Sequence, residues 1–262
     1  MTDFTGRVVV ITGGETGIGR ATVEQLAGAG AQVVIGGILE DEGAATVAAT
    51  AGARGKTEFH STDVRDVKQV DALVDSAVAR YGRLDGLIAN AAIFDGFASC
   101  IDTTDALWDQ IVSVNLRGTF YACRAALRHM VNARRGKIVN VASVGGLVGQ
   151  ADGASYTASK HGVVGLTKQI GCDYAKHGIA INAVCPGVID TPIRANSLRI
   201  LGADAPPMGG VGADPEWLNR TVPAHRKGTP YEIATMILFL LSDEASYMNG
   251  QCFVVDGGWS AK

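Results

Sequence analysis

Short apolar runs alternate with longer segments of helical periodicity along nearly the whole chain. Val8–Thr12 is continuously apolar, as in a strand buried on both faces. The spacing then predicts a helix over Gly17–Ala29, a strand over Gln32–Ile35, an Ala-rich helix over Leu39–Thr50 and a strand over Thr57–Ser61. Val67, Val70, Leu73, Val74, Ala77 and Val78 share one face of a helix over Val67–Arg80, with Asp66 as its N-cap. A fourth strand is expected at Leu84–Asn90, followed by a long helix at Thr103–Val131 capped by Thr103 or Thr104. A fifth strand at Lys137–Ala142, a long helix at Ser155–His177 and a sixth strand at Ile179–Val184 follow. From about residue 192 to 230 the pattern breaks down in Gly, Pro and Ala, and no element is expected there. A helix at Pro230–Leu241 and a short strand at Cys252–Val255 complete the series.

Strands that alternate with helices imply βαβ units and an α/β fold, a doubly wound parallel seven-stranded sheet covered by helices on both faces. No linker, repeat or composition shift divides the chain, so residues 1–262 are expected to form one dinucleotide-binding and catalytic domain. The irregular stretch at 192–230 is longer than an ordinary connection and is expected to act as a substrate lid.

Composition narrows the function. With 47% hydrophobic and 19% charged residues the chain reads as globular, and 34 glycines point to many tight turns or close backbone approaches. A net charge of −3 gives no basic footprint for nucleic acid. No apolar run is long enough for a membrane span and no stretch reads as a secretory leader. The five cysteines, Cys100, Cys123, Cys172, Cys185 and Cys252, show no C-x-x-C and read as reduced thiols of a cytoplasmic protein. The histidines form no metal-ligand spacing, so no metal is expected.

Two stretches carry chemistry. Between the first strand and first helix lies Thr12-Gly13-Gly14-Glu15-Thr16-Gly17-Ile18-Gly19. Glycines there let the backbone approach a pyrophosphate, and the helix N-terminus offers amide N–H groups to its charge. Further on, Ser143 ends an apolar run, and Tyr156 and Lys160 stand at the i,i+4 spacing that stacks two side chains on one helical face. An ammonium beside a phenol favours the phenolate and would lower the Tyr156 pKa toward neutrality, making it a proton donor or acceptor, with Ser143 holding an alcohol or carbonyl oxygen nearby.

Together with Asn90-Ala91-Ala92 after the fourth strand, Asn115 in Val112-Ser113-Val114-Asn115, Pro186-Gly187 with Ile189 and Thr191, and Asp256-Gly257-Gly258, these motifs resemble the short-chain dehydrogenase/reductase family over essentially the whole chain. The resemblance implies a Rossmann fold and an oxidoreductase that moves a hydride between a nicotinamide cofactor and a secondary alcohol or ketone. It implies Tyr156 as general acid/base, Ser143 as the group bonded to the substrate oxygen, Lys160 as the residue that tunes Tyr156 and binds the nicotinamide ribose, and Asn115 as holder of a relay water. Gly13, Thr16, Gly17, Ile18 and Gly19 would meet the phosphates, Asp63 and Val64 the adenine, and Asn90, Ala91 and Ala92 would contact the cofactor near its ribose or nicotinamide. Pro186, Gly187, Ile189 and Thr191 would cradle the nicotinamide. A homotetramer built on the two long helices and the last strand is implied as well.

Two departures stand out. Ala92 occupies a position that is usually Gly in the family. The acidic residue about 20 positions beyond the glycine turn, which binds the adenosine ribose in NAD-dependent proteins, is here Gly37. Glu15 would repel a 2′-phosphate if it pointed inward, and Glu40 or Asp41 would take over the ribose contact; NAD is expected, and NADP stays open. The pocket is expected to be mostly apolar, drawing on Ile93, Phe94, Phe97, Val144, Gly145 and Gln150, with Leu198, Ile200, Leu201 and Met208 from the lid. Trp108 is expected to pack inside, and Trp217 either lines the pocket or anchors the lid. A non-catalytic dinucleotide-binding regulator on the same fold is the alternative, and an epimerase or dehydratase of the extended relatives would need a larger C-terminal region.

Overall fold

Period-two burial along the first strand sets the architecture. In the computed structural model, which describes residues 2–261, Val8 and Val10 of β1 (Val8–Thr12) point into one core, and Val9 and Ile11 into another. A strand buried on both faces needs helices on both sides. The remaining strands are β2 (Gln32–Gly37), β3 (Lys56–Ser61), β4 (Gly86–Ala89), β5 (Gly136–Val141), β6 (Ile179–Pro186) and β7 (Cys252–Val255). They form a seven-stranded sheet in the order β3-β2-β1-β4-β5-β6-β7, with every pairing parallel.

One face is covered by α1 (Gly17–Gly28) and α9 (Pro230–Leu241), whose Val23, Leu26, Ile233 and Ile237 pack on Val9, Ile11 and Val33. The other carries α3 (Val67–Tyr81), α4 (Asp105–Val112), α5 (Thr119–Ala133) and α6 (Ala154–Tyr174), which bring Leu73, Leu107, Ile111, Met130 and Ile170 to Val10 and Leu87. Each such side chain, fully buried, contributes about 1.5–3 kcal/mol. Caps set several starts: Asp66 accepts from the Lys68 amide, Thr104 from the Leu107 amide, and Thr229 with Glu232 closes a reciprocal box before α9. The shorter α2 (Glu40–Ala49) lies against β3.

Two expectations need correction. The helix expected over Thr103–Val131 is interrupted: between α4 and α5 the backbone forms a π turn over Ser113–Gly118. Its side-chain periodicity is nearly that of the flanking α-helices, so the hydrophobic pattern does not register it. The stretch 192–230 is not without elements, because it folds into α7 (Ile193–Leu201) and α8 (Pro215–Thr221). Asp214 caps α8 by accepting from the Glu216 and Trp217 amides, with Pro215 at the first helical position.

In this strand order the chain reverses direction of travel between β1 and β4. The crevice outside the carboxyl ends of those two strands is where open α/β sheets bind ligands. No helix of the described residues is long and apolar enough to cross a membrane.

Candidate active site

The crevice is a continuous cleft of two adjoining hollows whose common edge is Ile18, Asn90, Ala92, Thr191 and Ile193. Gly13, Thr16, Gly17, Gly37, Asp63, Val64 and Ala91 line the first hollow. Ser143, Tyr156, Lys160, Pro186, Gly187 and Ile189 line the second. Gly19 and Asn115 line neither and act from behind.

The glycine turn is built by close approach. Gly13 has φ +67°, and a side chain there would run into the Ala91 backbone. A methyl group on Gly19 would overlap the Gly13 carbonyl oxygen. Asn90 locks the arrangement: its Nδ2 donates to the Gly13 oxygen at 2.7 Å, while the Thr12 hydroxyl accepts from the Asn90 amide at 3.2 Å and the Ala91 amide at 3.3 Å. The resulting cradle at the start of α1 is open to a ligand and too tight for side chains. That is the shape a pyrophosphate requires, so the residues present fit a dinucleotide.

The second hollow is organised by α6. Tyr156 and Lys160 are both buried there, with Nζ of Lys160 5.4 Å from the phenol ring centroid and donating to the Val141 carbonyl at 2.8 Å. Burial pushes the Lys160 ammonium down to about 8. The Tyr156 phenol is held well above its ordinary value, first by burial and then by the charges of Asp152 and Asp95. The expected lowering by Lys160 is therefore absent here, because its ammonium is turned to the β5 carbonyl. The groups that oppose the rise are Arg194 and the Ser143 hydroxyl. Phe94 stacks edge-on against Tyr156 with centroids 5.4 Å apart, and the Arg194 guanidinium lies over the Phe94 ring.

Two carboxylates and one cation around this hollow, Asp95, Asp152 and Arg194, are not among the expected site residues. Asp95, fully buried, accepts from the Ser155 hydroxyl at 3.0 Å and the Tyr156 amide at 2.9 Å, fixing the first turn of α6. Asp152 accepts from the Ser143 hydroxyl at 3.2 Å, while Ser143 Oγ accepts from the Gly145 amide at 3.0 Å. Neither aspartate belongs to a periodic segment, so the sequence carries no signal for it beyond proximity to Ser143 and Tyr156.

Burial and the nearby Asp95 charge push the Asp152 carboxyl up to about 6 from 3.8. Its proton is thus held more tightly in the folded than in the unfolded chain. The stability this confers is complete below about pH 4 and lost as pH rises through 6, a change on the order of 3 kcal/mol. In Asp152→Asn that component should vanish, so the stability gap between variant and wild type in urea unfolding should widen in the variant's favour from pH 4 to pH 7. Parallel profiles would contradict the placement of Asp152.

Asn115 sits on the π turn with its amide committed: Nδ2 donates to the Ile93 carbonyl at 3.0 Å and to Ser159 Oγ at 3.3 Å, and Oδ1 accepts from the Ile93 amide at 2.9 Å. It ties the segment after β4 to α6. Helix α7 crosses the cleft mouth. Asn196 donates to the Thr16 hydroxyl at 3.2 Å, and Ser197 Oγ accepts from the Phe94 amide at 2.8 Å. Of the apolar lid positions, Ile200 lines the first hollow, Leu201 is buried in the core and Leu198 is exposed. Trp217 lines neither hollow and packs edge-on against Phe97 at 5.1 Å. Trp108 is 43% exposed instead of packed inside. Glu40 and Asp41 stay in the exposed first turn of α2 and line neither hollow. No group of three or more His, Cys, Asp or Glu among the described residues is arranged to hold a metal ion.

The family profile described as Enoyl-(Acyl carrier protein) reductase matches residues 13–260. The chain is 40% identical to a levodione reductase from Leifsonia aquatica over 99% of its length and 96% of that protein. The crystal structure titled levodione reductase superposes with a TM-score of 0.90 over 98% of this chain and 99% of that one. A short-chain type dehydrogenase/reductase from Mycobacterium marinum, 31% identical, superposes at 0.87 over 99% of this chain and 98% of that one. The chain belongs to the short-chain dehydrogenase/reductase family. A short-chain dehydrogenase/reductase of this kind transfers a hydride between a nicotinamide cofactor and a secondary alcohol or ketone. A further relative is a 2,5-dichloro-2,5-cyclohexadiene-1,4-diol dehydrogenase from Sphingobium indicum, 38% identical over the full length of both. The non-catalytic alternative finds no support among relatives named as dehydrogenases and reductases.

Proposed function

We propose that the protein is an NAD-dependent dehydrogenase or reductase of small, ring-bearing secondary alcohols and ketones, with Tyr156 as general acid/base. The observation that carries this reading is the convergence of Tyr156, Ser143 and Lys160 on one hollow that adjoins the glycine cradle. The ring-bearing substrate class is supported by relatives named for levodione, a dichlorocyclohexadienediol and, in Sinomonas cyclohexanicum at 41% identity over 98% of both chains, cis-4-hydroxycyclohexanecarboxylate.

In this reading the cleft would hold a nicotinamide dinucleotide: Gly13, Thr16, Gly17 and Ile18 would hold its phosphates with Gly19 behind them, Asp63 and Val64 its adenine, and Pro186, Gly187, Ile189 and Thr191 its nicotinamide end, with Asn90, Ala91 and Ala92 between. Such a group would supply or accept the hydride. In reduction, Tyr156 Oη gives its proton to the carbonyl oxygen as negative charge develops there, and Ser143 Oγ donates a hydrogen bond to the same oxygen. In oxidation the phenolate takes the alcohol proton. Ser143 must turn its hydroxyl from Asp152 to the substrate, and Lys160 must exchange the Val141 carbonyl for the ribose and phenol; Asn115 supports proton exchange by holding the backbone of this region open at the π turn. A phenol held above its ordinary value by burial suits an acid that stays protonated until the charge of the reacting oxygen develops.

NAD is preferred in this reading because the cation nearest the adenosine end of the cleft, Arg65, is already paired in a fork with Asp63, its Nη2 at 2.7 Å from Oδ2. A substrate panel of cyclic secondary alcohols and ketones, read at 340 nm with NAD and with NADP, tests the proposal. Turnover with none of them, or only with NADP, overturns it.

The segment at 192–230 serves as the lid, anchored where Trp217 meets Phe97. Trp217→Ala should raise KM roughly 3–10-fold with kcat little changed, since the aromatic pair contributes on the order of 1 kcal/mol to closure and none to the chemistry. Steady-state kinetics on the best substrate decide this. A cytoplasmic homotetramer is the assembly this reading favours. Trp108 and Phe120, both exposed on the α4–α5 side, and Val254 on β7 are the apolar positions that support it.

A further inference from the structure

We propose that Glu15, on the glycine turn, supplies the carboxylate that accepts from the adenosine ribose 2′-hydroxyl and excludes a 2′-phosphate, in place of an acid at the end of β2. This rests on the reading that the cleft holds a nicotinamide dinucleotide, and adds the residue that selects between the two forms.

Gly37 is the last residue of β2. A Cβ placed on it would fall onto the Glu15 carboxylate, with all three nearest atoms belonging to that group. Two positions remote in kind, one on a turn and one on a strand, thus share a single volume. An acid at 37 and the Glu15 side chain in this position are mutually exclusive, and the chain carries the pair Glu and Gly.

Glu15 is aimed and held. Its own carbonyl accepts from the Thr46 hydroxyl of α2 at 3.0 Å, which fixes the residue's backbone against the far side of the cleft. The residue is 6% exposed, and its Oε2 is buried with no hydrogen-bond partner in the protein. A buried carboxylate oxygen left bare is unfavourable, and a donor brought by a ligand relieves it. Glu15, Gly37, Ile38 and Leu39 line the first hollow together with Asp63 and Ala91. A ribose hydroxyl is such a donor and a phosphate is not.

The surrounding charge points the same way. A 2′-phosphate placed against Glu15 would need a compensating cation, and Arg65, which lines this hollow, and Arg199 on α7 are both committed elsewhere. Arg65 is forked on Asp63, and Arg199 of α7 pairs with Glu42 of α2 at 2.8 Å. Glu42 itself adds negative charge beside Glu15.

Equilibrium titration of the full chain with NADH and with NADPH, followed by nicotinamide fluorescence without substrate, tests this. Wild type should bind NADH at least about 100-fold more tightly, equivalent to about 2.7 kcal/mol. Glu15→Gln should shrink that ratio about tenfold or more, mainly by tightening NADPH. The exchange E15S/G37D, which moves the acid to the strand, should restore the ratio and so shows that loss in the single variant is not a folding defect. An unchanged ratio in Glu15→Gln, with NADH still bound, overturns the role of Glu15 and leaves the dinucleotide reading intact. A wild type that favours NADPH overturns the inference and the NAD preference together, and one that binds neither nucleotide overturns the dinucleotide reading itself.

Discussion

Tyr156→Phe should lower kcat by on the order of 10³–10⁴-fold while leaving NADH affinity within about twofold of wild type. The expectation follows from what the substitution removes and what it leaves. Only the hydroxyl goes. The ring stays edge-on to Phe94 and under the Lys160 ammonium, and the Tyr156 amide keeps its bond to Asp95. The cradle formed by Gly13, Gly19 and Asn90 lies in the other hollow and does not touch the phenol. Loss of a proton donor therefore appears in the chemical step and not in nucleotide binding. Tyr156 is only 8% exposed, so the variant loses little contact with solvent and its fold should be about as stable. Steady-state kinetics with the best alcohol of the panel, paired with fluorescence titration of NADH, separate the two quantities. A kcat within tenfold of wild type would assign proton transfer to another group, with Asp152 the first to examine because it is bonded to Ser143 and holds its proton up to about pH 6.

How much of this could be read from the residues alone depends on whether each feature is local. Most strands were legible because they are short apolar runs, the edge strand β3 with its Lys-Thr-Glu-Phe-His-Ser sequence being the exception, and β1 even declares both cores through the alternation of Val8 and Val10 with Val9 and Ile11. Asp66 and Thr104 announced their helices because an N-cap is a contact within one turn. The i,i+4 spacing of Tyr156 and Lys160 likewise places both on one face of α6. What escaped was not local. The π turn at Asn115 inserts a single extra residue into a helix whose apolar pattern runs on regardless. Helices α7 and α8 are too short to show a period, although Asp214-Pro215 carries the capping signature of α8. Asp95 and Asp152 act through loops that meet only after the sheet has formed. The replacement of an acid at 37 by one at 15 is the clearest instance, since it requires knowing that the turn after β1 folds over the end of β2.

That same turn gives the other large expected effect. Gly19→Val should weaken NADH binding by about 100-fold or more and destabilise the fold by on the order of 1–3 kcal/mol. Any side chain at 19 meets the Gly13 carbonyl oxygen, which is backbone and cannot swing aside, and then Asn90 Nδ2 at 2.8 Å. Asn90 Nδ2 is the donor that holds the Gly13 oxygen, so displacing either group opens the link between the glycine turn and the end of β4. The first turn of α1 must then move away from β1. Its free amides no longer converge where the phosphates sit, and the charge stabilisation offered by the helix N-terminus is misdirected. Gly28, at the other end of the same helix, is the matched control. A methyl group there meets nothing within 4 Å, and Gly28→Ala should leave NADH affinity unchanged while stabilising the protein by up to about 1 kcal/mol through a less flexible unfolded chain. Fluorescence titration and urea unfolding of both variants make the comparison. If Gly19→Val bound NADH as wild type does, the phosphates would have to lie elsewhere than on this turn, since no arrangement of α1 accommodates both a branched side chain at 19 and the present cradle.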